Sequence, residues 1–85
     1  MRTIYKYPVC TKPIDLPSGA KILTVQLQEG IPHMWVEQET SNPMFRRHLY
    51  VVGTGRQIPT NDVDYVGTYQ EQGGALVWHV YITKE

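Results

Sequence analysis

The closing stretch of the chain, ALVWHVYIT over residues 75–83, puts Leu76, Trp78, Val80 and Ile82 on one side of an extended strand. Ala75, Val77, His79 and Tyr81 fall on the other, because successive side chains of a strand point to opposite faces. Both faces are therefore largely apolar or aromatic. Such a strand is central in its sheet, or a partner chain covers its second face. The remainder of the sequence agrees with a sheet. No window of about eleven residues carries a clear helical period. Val, Ile, Thr, Tyr and Trp, the types that suit a pleated surface, recur between turn signals.

The fold class predicted is all-β: one small domain over residues 1–85, with about six antiparallel strands in a bent sheet or partly open barrel. The strands are expected at Thr3–Val9, Ala20–Gln28, His33–Glu39, Phe45–Gly53, Asp64–Gln70 and Ala75–Thr83. The segment CTKPIDLPSG reads as a connection or strap. EGIP joins the second and third strands as a hairpin. Alternation assigns Leu23, Val25, Leu27, Leu49, Val51, Leu76, Trp78 and Val80 to the core.

With 85 residues the core is small, since a domain of this size buries only about 60% of its unfolded surface. The single cysteine, Cys10, allows no internal disulfide and predicts a reducing compartment. His33, His48 and His79 stand singly, without the spacing of a metal site, so neither metal nor other cofactor is expected. Association into a homo-oligomer is the remaining way to supplement such a core. Eight basic residues cancel eight acidic ones, which argues against nucleic acid as partner. No apolar run approaches the length of a membrane span. The opening MRTIYKYPVC has no apolar signal core, so the expected location is cytoplasmic.

Two phrases, Val52-Gly53-Thr54 and Val66-Gly67-Thr68, raise the question of a phosphate-cradling loop. The neighbouring GTGRQ could form one: backbone N–H groups near Gly55 make a concavity, and Thr54 and Arg56 add a hydroxyl and a positive charge. Phosphate loops, however, run into a helix or a Lys-Ser/Thr pair, and here Pro59 follows. The simpler expectation is that Gly53 and Gly67 mark bulges or close strand contacts, with Gly55, Gly73 and Gly74 in turns. The densest positive spot is Arg46-Arg47-His48. On a strand, Arg46, His48 and Tyr50 share a face that could grip an anionic ligand or acidic partner, or could be a solvated face with protective charge. Eight Tyr and Trp residues, Tyr69 among them, exceed what a small core can hold, and such rings stack bases or anchor protein partners. Candidate binding residues are therefore Arg46, His48, Tyr50, Thr54, Gly55, Arg56 and Tyr69. Nothing places a nucleophile beside an acid–base pair, so no enzymatic activity is predicted.

Read together, TIYKYPV, LPSGAKILTVQLQ, MWVEQE, YVVGTGRQIP and YVGTYQEQGGALVWHVY resemble a family of small uncharacterised proteins of tailed bacteriophages and prophages. The likeness spans most of the chain, with QETSNPMFRRH less typical of it. The resemblance implies an accessory phage protein in the host bacterial cytoplasm. It names no activity; because small accessory phage proteins commonly act by binding, the expected function is that of a non-enzymatic binder that antagonises a host or anti-phage defence component by protein–protein inhibition. Sequestration of a nucleotide-like signal molecule and an accessory structural role in the virion are the alternatives.

Overall fold

The structure, a computed structural model, describes residues 1–85. It has eight strands: β1 (Arg2–Pro8), β2 (Ile14–Pro17), β3 (Lys21–Gln28), β4 (Ile31–Glu39), β5 (Met44–Arg47), β6 (Leu49–Gly53), β7 (Val63–Glu71) and β8 (Leu76–Thr83). They form three antiparallel sheets, ordered β1-β4-β3, β2-β5 and β6-β8-β7. None closes into a barrel. The all-β expectation holds, and the count rises from six for two reasons. The strap contains a strand of its own, β2. The long strand expected at Phe45–Gly53 breaks at His48, so that its first part pairs with β2 and its second with β8.

The β3–β4 hairpin closes more tightly than EGIP suggests. Gln28 pairs with Ile31, which leaves Glu29-Gly30 alone in the loop. Their φ angles of 52° and 78° are both left-handed, as a two-residue turn matched to strand twist requires. The chain's closing strand, β8, is the centre of its sheet, as its two apolar faces predicted.

The molecule measures 18 Å along its thinnest axis, enough for two stacked sheets about 10 Å apart. The β1-β4-β3 sheet lies on the β6-β8-β7 sheet, with β3 against β7. The core between them is Leu16, Val25, Met34, Val36, Leu49, Val80 and Ile82. Val25, Leu49 and Val80 were expected there. Leu23, Leu27 and Leu76 were expected there too, but they are exposed, and Val51 and Trp78 are half-buried.

The physical cause of the first error is a β-bulge. Ile22 pairs with Val36 and Thr24 with Trp35, so Leu23 has no partner and is pushed outward. The bulge shifts the phase by one, and Ile22 and Val25 share the core side although they are three residues apart. Leu27 keeps Val25's phase but lies near the strand end, where no second layer covers it. Leu76 opens β8 beside the turn at Gln72–Gly74 and is likewise beyond the core. A second bulge falls between Tyr65 and Gly67 on β7.

Two polar residues are buried. Gln38 accepts a hydrogen bond from the Tyr7 hydroxyl at 2.9 Å. Arg47 has no carboxylate within ion-pair distance, and its Nε donates to the Thr83 carbonyl at 3.0 Å. That bond ties β5 to the end of β8.

Candidate functional site

Glycine at position 67 is a packing device. A Cβ built there would stand 2.7 Å from both Cβ and Cγ2 of Val25, so the two sheets touch at this point only because Gly67 has no side chain. Gly53 lies against the Trp78 ring, where an added Cβ would sit 3.3 Å from the nearest ring carbon. Gly55 has φ of +86° in a turn closed by a bond from Arg56 N–H to Gly53 O at 3.0 Å, the left-handed position of a type II turn. These are the bending and close-approach roles expected of the glycines.

The same turn nevertheless organises a site. It ends β6 early, and the chain from Thr54 onward folds beside β8. Two open grooves share Gly53, Thr54 and Arg56 as a common wall. One, of about 470 Å³, continues along Ala75, Leu76, Val77 and Trp78. The other, of about 220 Å³, is lined by Val52, Ile58, His79 and Tyr81. Arg56 is exposed and forms no ion pair. The Trp78 ring is fixed twice, by Gly53 on one side and by its Nε1–H donating to Glu71 Oε1 at 2.7 Å.

A hydrogen-bonded row crosses the outward face of this sheet. Tyr65 OH is 2.6 Å from Thr68 Oγ1, which is 3.1 Å from His79 Nδ1. His79 Nε2 is 2.8 Å from Thr54 Oγ1, which reaches the Val77 carbonyl at 3.5 Å. One assignment gives every member of the row a role when the imidazole is neutral. Tyr65 donates to Thr68, Thr68 to Nδ1, Nε2–H to Thr54, and Thr54 to the carbonyl. Tyr81 adds an edge-to-face contact with Tyr65, centroids 5.7 Å apart. The row holds Thr54 and His79 in set orientations at the groove wall. No group of three or more His, Cys, Asp or Glu side chains gathers for a metal.

Of the residues singled out from sequence, Thr54, Gly55 and Arg56 come together here. The others lie elsewhere. Arg46 is on β5, paired with Asp15 across the β2-β5 sheet at 3.2 Å. His48 is the exposed link between β5 and β6, and its backbone bonds Thr83. Tyr50 faces Tyr81 across the β6–β8 ladder and lines a separate groove with Thr60, Asp62 and Lys84. Tyr69 packs against the core, where burial and then the Glu71 charge push its phenol pKa above 10.0. Sequence reading did not assign Trp78, Val77 and His79 to the site. Alternation already gave their faces, but only the early stop of β6 brings them beside Arg56.

The fold and grooves define a small two-layered antiparallel β domain with solvent-open surfaces and no enclosed cavity among those described. The chain belongs to the family described as Domain of unknown function (DUF7352), whose model matches residues 1–85. No curated protein and no solved structure matches it. No helix is long and apolar enough to cross a membrane.

Proposed function

We propose that this chain is a phage-encoded, non-enzymatic protein that acts in the host bacterial cytoplasm by docking onto a host or anti-phage defence protein. The observation that carries the reading is an excess of apolar surface on a fixed framework. Eleven large apolar side chains are exposed, whereas eight hydrophobic residues are buried. Singly exposed apolar residues are ordinary, but contiguous ones mark interaction surfaces. On the outward face of the β1-β4-β3 sheet two of the exposed apolar side chains, Ile4 and Leu23, lie on the strands either side of the one that carries Trp35. Ile4, Lys6, Trp35 and Glu37 share that face by register, and the bulge adds Leu23. Ile4 is 53% and Leu23 44% exposed. Arg2, bonded to Glu37 at 2.6 Å, gives the face a polar rim. The phage origin rests on the phrase resemblance, and the reducing compartment on the unpaired, exposed Cys10.

The test is native mass spectrometry of the tagged protein recovered from phage-infected bacteria, beside an Ile4→Asp/Leu23→Asp variant with unchanged circular dichroism. The expected result is one host protein retained stoichiometrically by the native chain and lost by the variant. Masses at multiples of 9.8 kDa alone would instead assign this face to a homo-oligomer. Recovery only within assembled particles would favour the virion role.

A further inference from the structure

The larger groove beside Arg56 has a feature that ordinary loop geometry does not demand. In an antiparallel ladder, a residue whose carbonyl accepts from its opposite also donates its own N–H back to that opposite. The Val77 carbonyl accepts from Thr54 N–H at 3.2 Å, but no bond returns from Val77 N–H to Thr54, because the chain turns away at Gly55. A strand residue directs its N–H and its carbonyl to the same side. The Val77 N–H therefore faces the β6 side of β8, where the ladder has stopped. It is a donor on a half-buried residue, in the groove that Arg56 overhangs.

Three groups with different chemistry thus converge there. Arg56 is an unpaired cation, Val77 N–H is an unpaired donor, and Trp78 is an aromatic ring held in place by Gly53 and Glu71. An anionic oxygen suits the first two, since bonds from a guanidinium to such an oxygen are charge-assisted. A planar body suits the third, since aromatic side chains stack heterocycles with little regard to their identity. The groove, about 470 Å³, falls in the range of small-molecule sites. We propose that this groove binds a nucleotide-class small molecule, with its phosphate on Arg56 and the Val77 N–H and its base against Trp78. Glu71 does not line the groove; its Oε1 accepts from Trp78 Nε1–H and so fixes the ring. This site lies on the β6-β8-β7 sheet, apart from the Ile4/Leu23 face, and does not depend on the docking reading.

The test uses the full chain in a Trp35→Phe background, which leaves Trp78 as the only tryptophan. Titration with adenosine 5′-monophosphate and with the other mononucleotides should quench Trp78 fluorescence saturably for at least one of them. The matching nucleoside and inorganic phosphate should each bind about tenfold more weakly or worse, and Arg56→Ala should weaken nucleotide binding by about tenfold or more at unchanged melting temperature. In parallel, the amide resonance of Val77 in the unmodified protein should shift downfield on adding the same nucleotide. No saturable quenching by any mononucleotide, quenching that Arg56→Ala leaves intact, or an unmoved Val77 amide would each overturn the assignment. A response to inorganic phosphate equal to that of the nucleotide would also overturn it, because the base would then contribute nothing.

Discussion

Gly67 and Val25 meet where the two sheets are closest, with a hypothetical Gly67 Cβ 2.7 Å from two Val25 side-chain atoms. Both residues sit on strands held by neighbouring ladders, so neither backbone can retreat easily. Gly67→Ala is expected to destabilise the protein by about 1–3 kcal/mol, the usual scale of overpacking. The double variant Gly67→Ala/Val25→Ala should recover part of that loss, because the smaller residue makes room for the new methyl. Thermal unfolding of the four members of this cycle measures the coupling. Simple additivity would mean the sheets are not in contact here. The sequence carried half of this contact. Gly67 could be read as a close approach, but its partner is 42 positions away, and nothing in local composition reveals which residue fills the space.

At the level of elements, β7 and β8 form a hairpin whose end is fastened by Trp78, Tyr69 and Glu71. Tyr69 and Trp78 are paired across the ladder, and Glu71 holds the indole N–H. Glu71 also acts on Tyr69: after burial, its negative charge is the second cause of the raised phenol pKa. Glu71→Gln keeps an acceptor for Trp78 and removes the charge. It should therefore bring the Tyr69 pKa down toward, but not to, 10.0, because desolvation remains. A phenol that titrates higher folded than unfolded contributes its full stability below the unfolded pKa and loses it as pH rises through the folded value. Because Glu71→Gln narrows the gap between the folded and unfolded values, it loses less stability on deprotonation, and its alkaline unfolding, measured against its own stability at neutral pH, should begin at slightly higher pH. Ultraviolet titration and chemical unfolding above pH 10 read the two effects, and identical titration curves would refute the coupling. The central position of β8, its length and its two apolar faces were legible in ALVWHVYIT. The break at His48 was not. Alternation runs unchanged through Arg46-Arg47-His48-Leu49, and only the choice of pairing partner divides β5 from β6. The bulge at Leu23 was equally hidden. Its leucine fits the period of Val25 and Leu27, and the slip exists only relative to β4.

Across the whole molecule, the all-β class and most strand positions were readable because period-two patterning and turn residues are local signals. The arrangement into three sheets was not, because it depends on pairings between distant segments. For the site, GTGRQ supplied Thr54, Gly55 and Arg56, but the ring and the open ladder position beside them come from a strand more than 20 residues later. That same connectivity imposes an order in time. The β3–β4 turn spans two residues and the β7–β8 turn four, from Gln72 to Ala75. By contrast, β1 can join β4 only after the chain between them has been gathered, and β6 can join β8 only around the finished β7 hairpin. Closing a longer loop costs more entropy before any contact offsets it. The molecule is therefore expected to assemble from two independent hairpin nuclei, one in each sheet, with the outer strands β1 and β6 arriving last. In pulse-labelled hydrogen exchange during refolding, the amides of β3, β4, β7 and β8 should gain protection before those of β1 and β6. Simultaneous protection of all six would show that the sheets form as one. If the halves do form separately, the Val25–Gly67 contact is more than packing: it is a place where they must fit, and its shape complementarity would bear on whether they join in register.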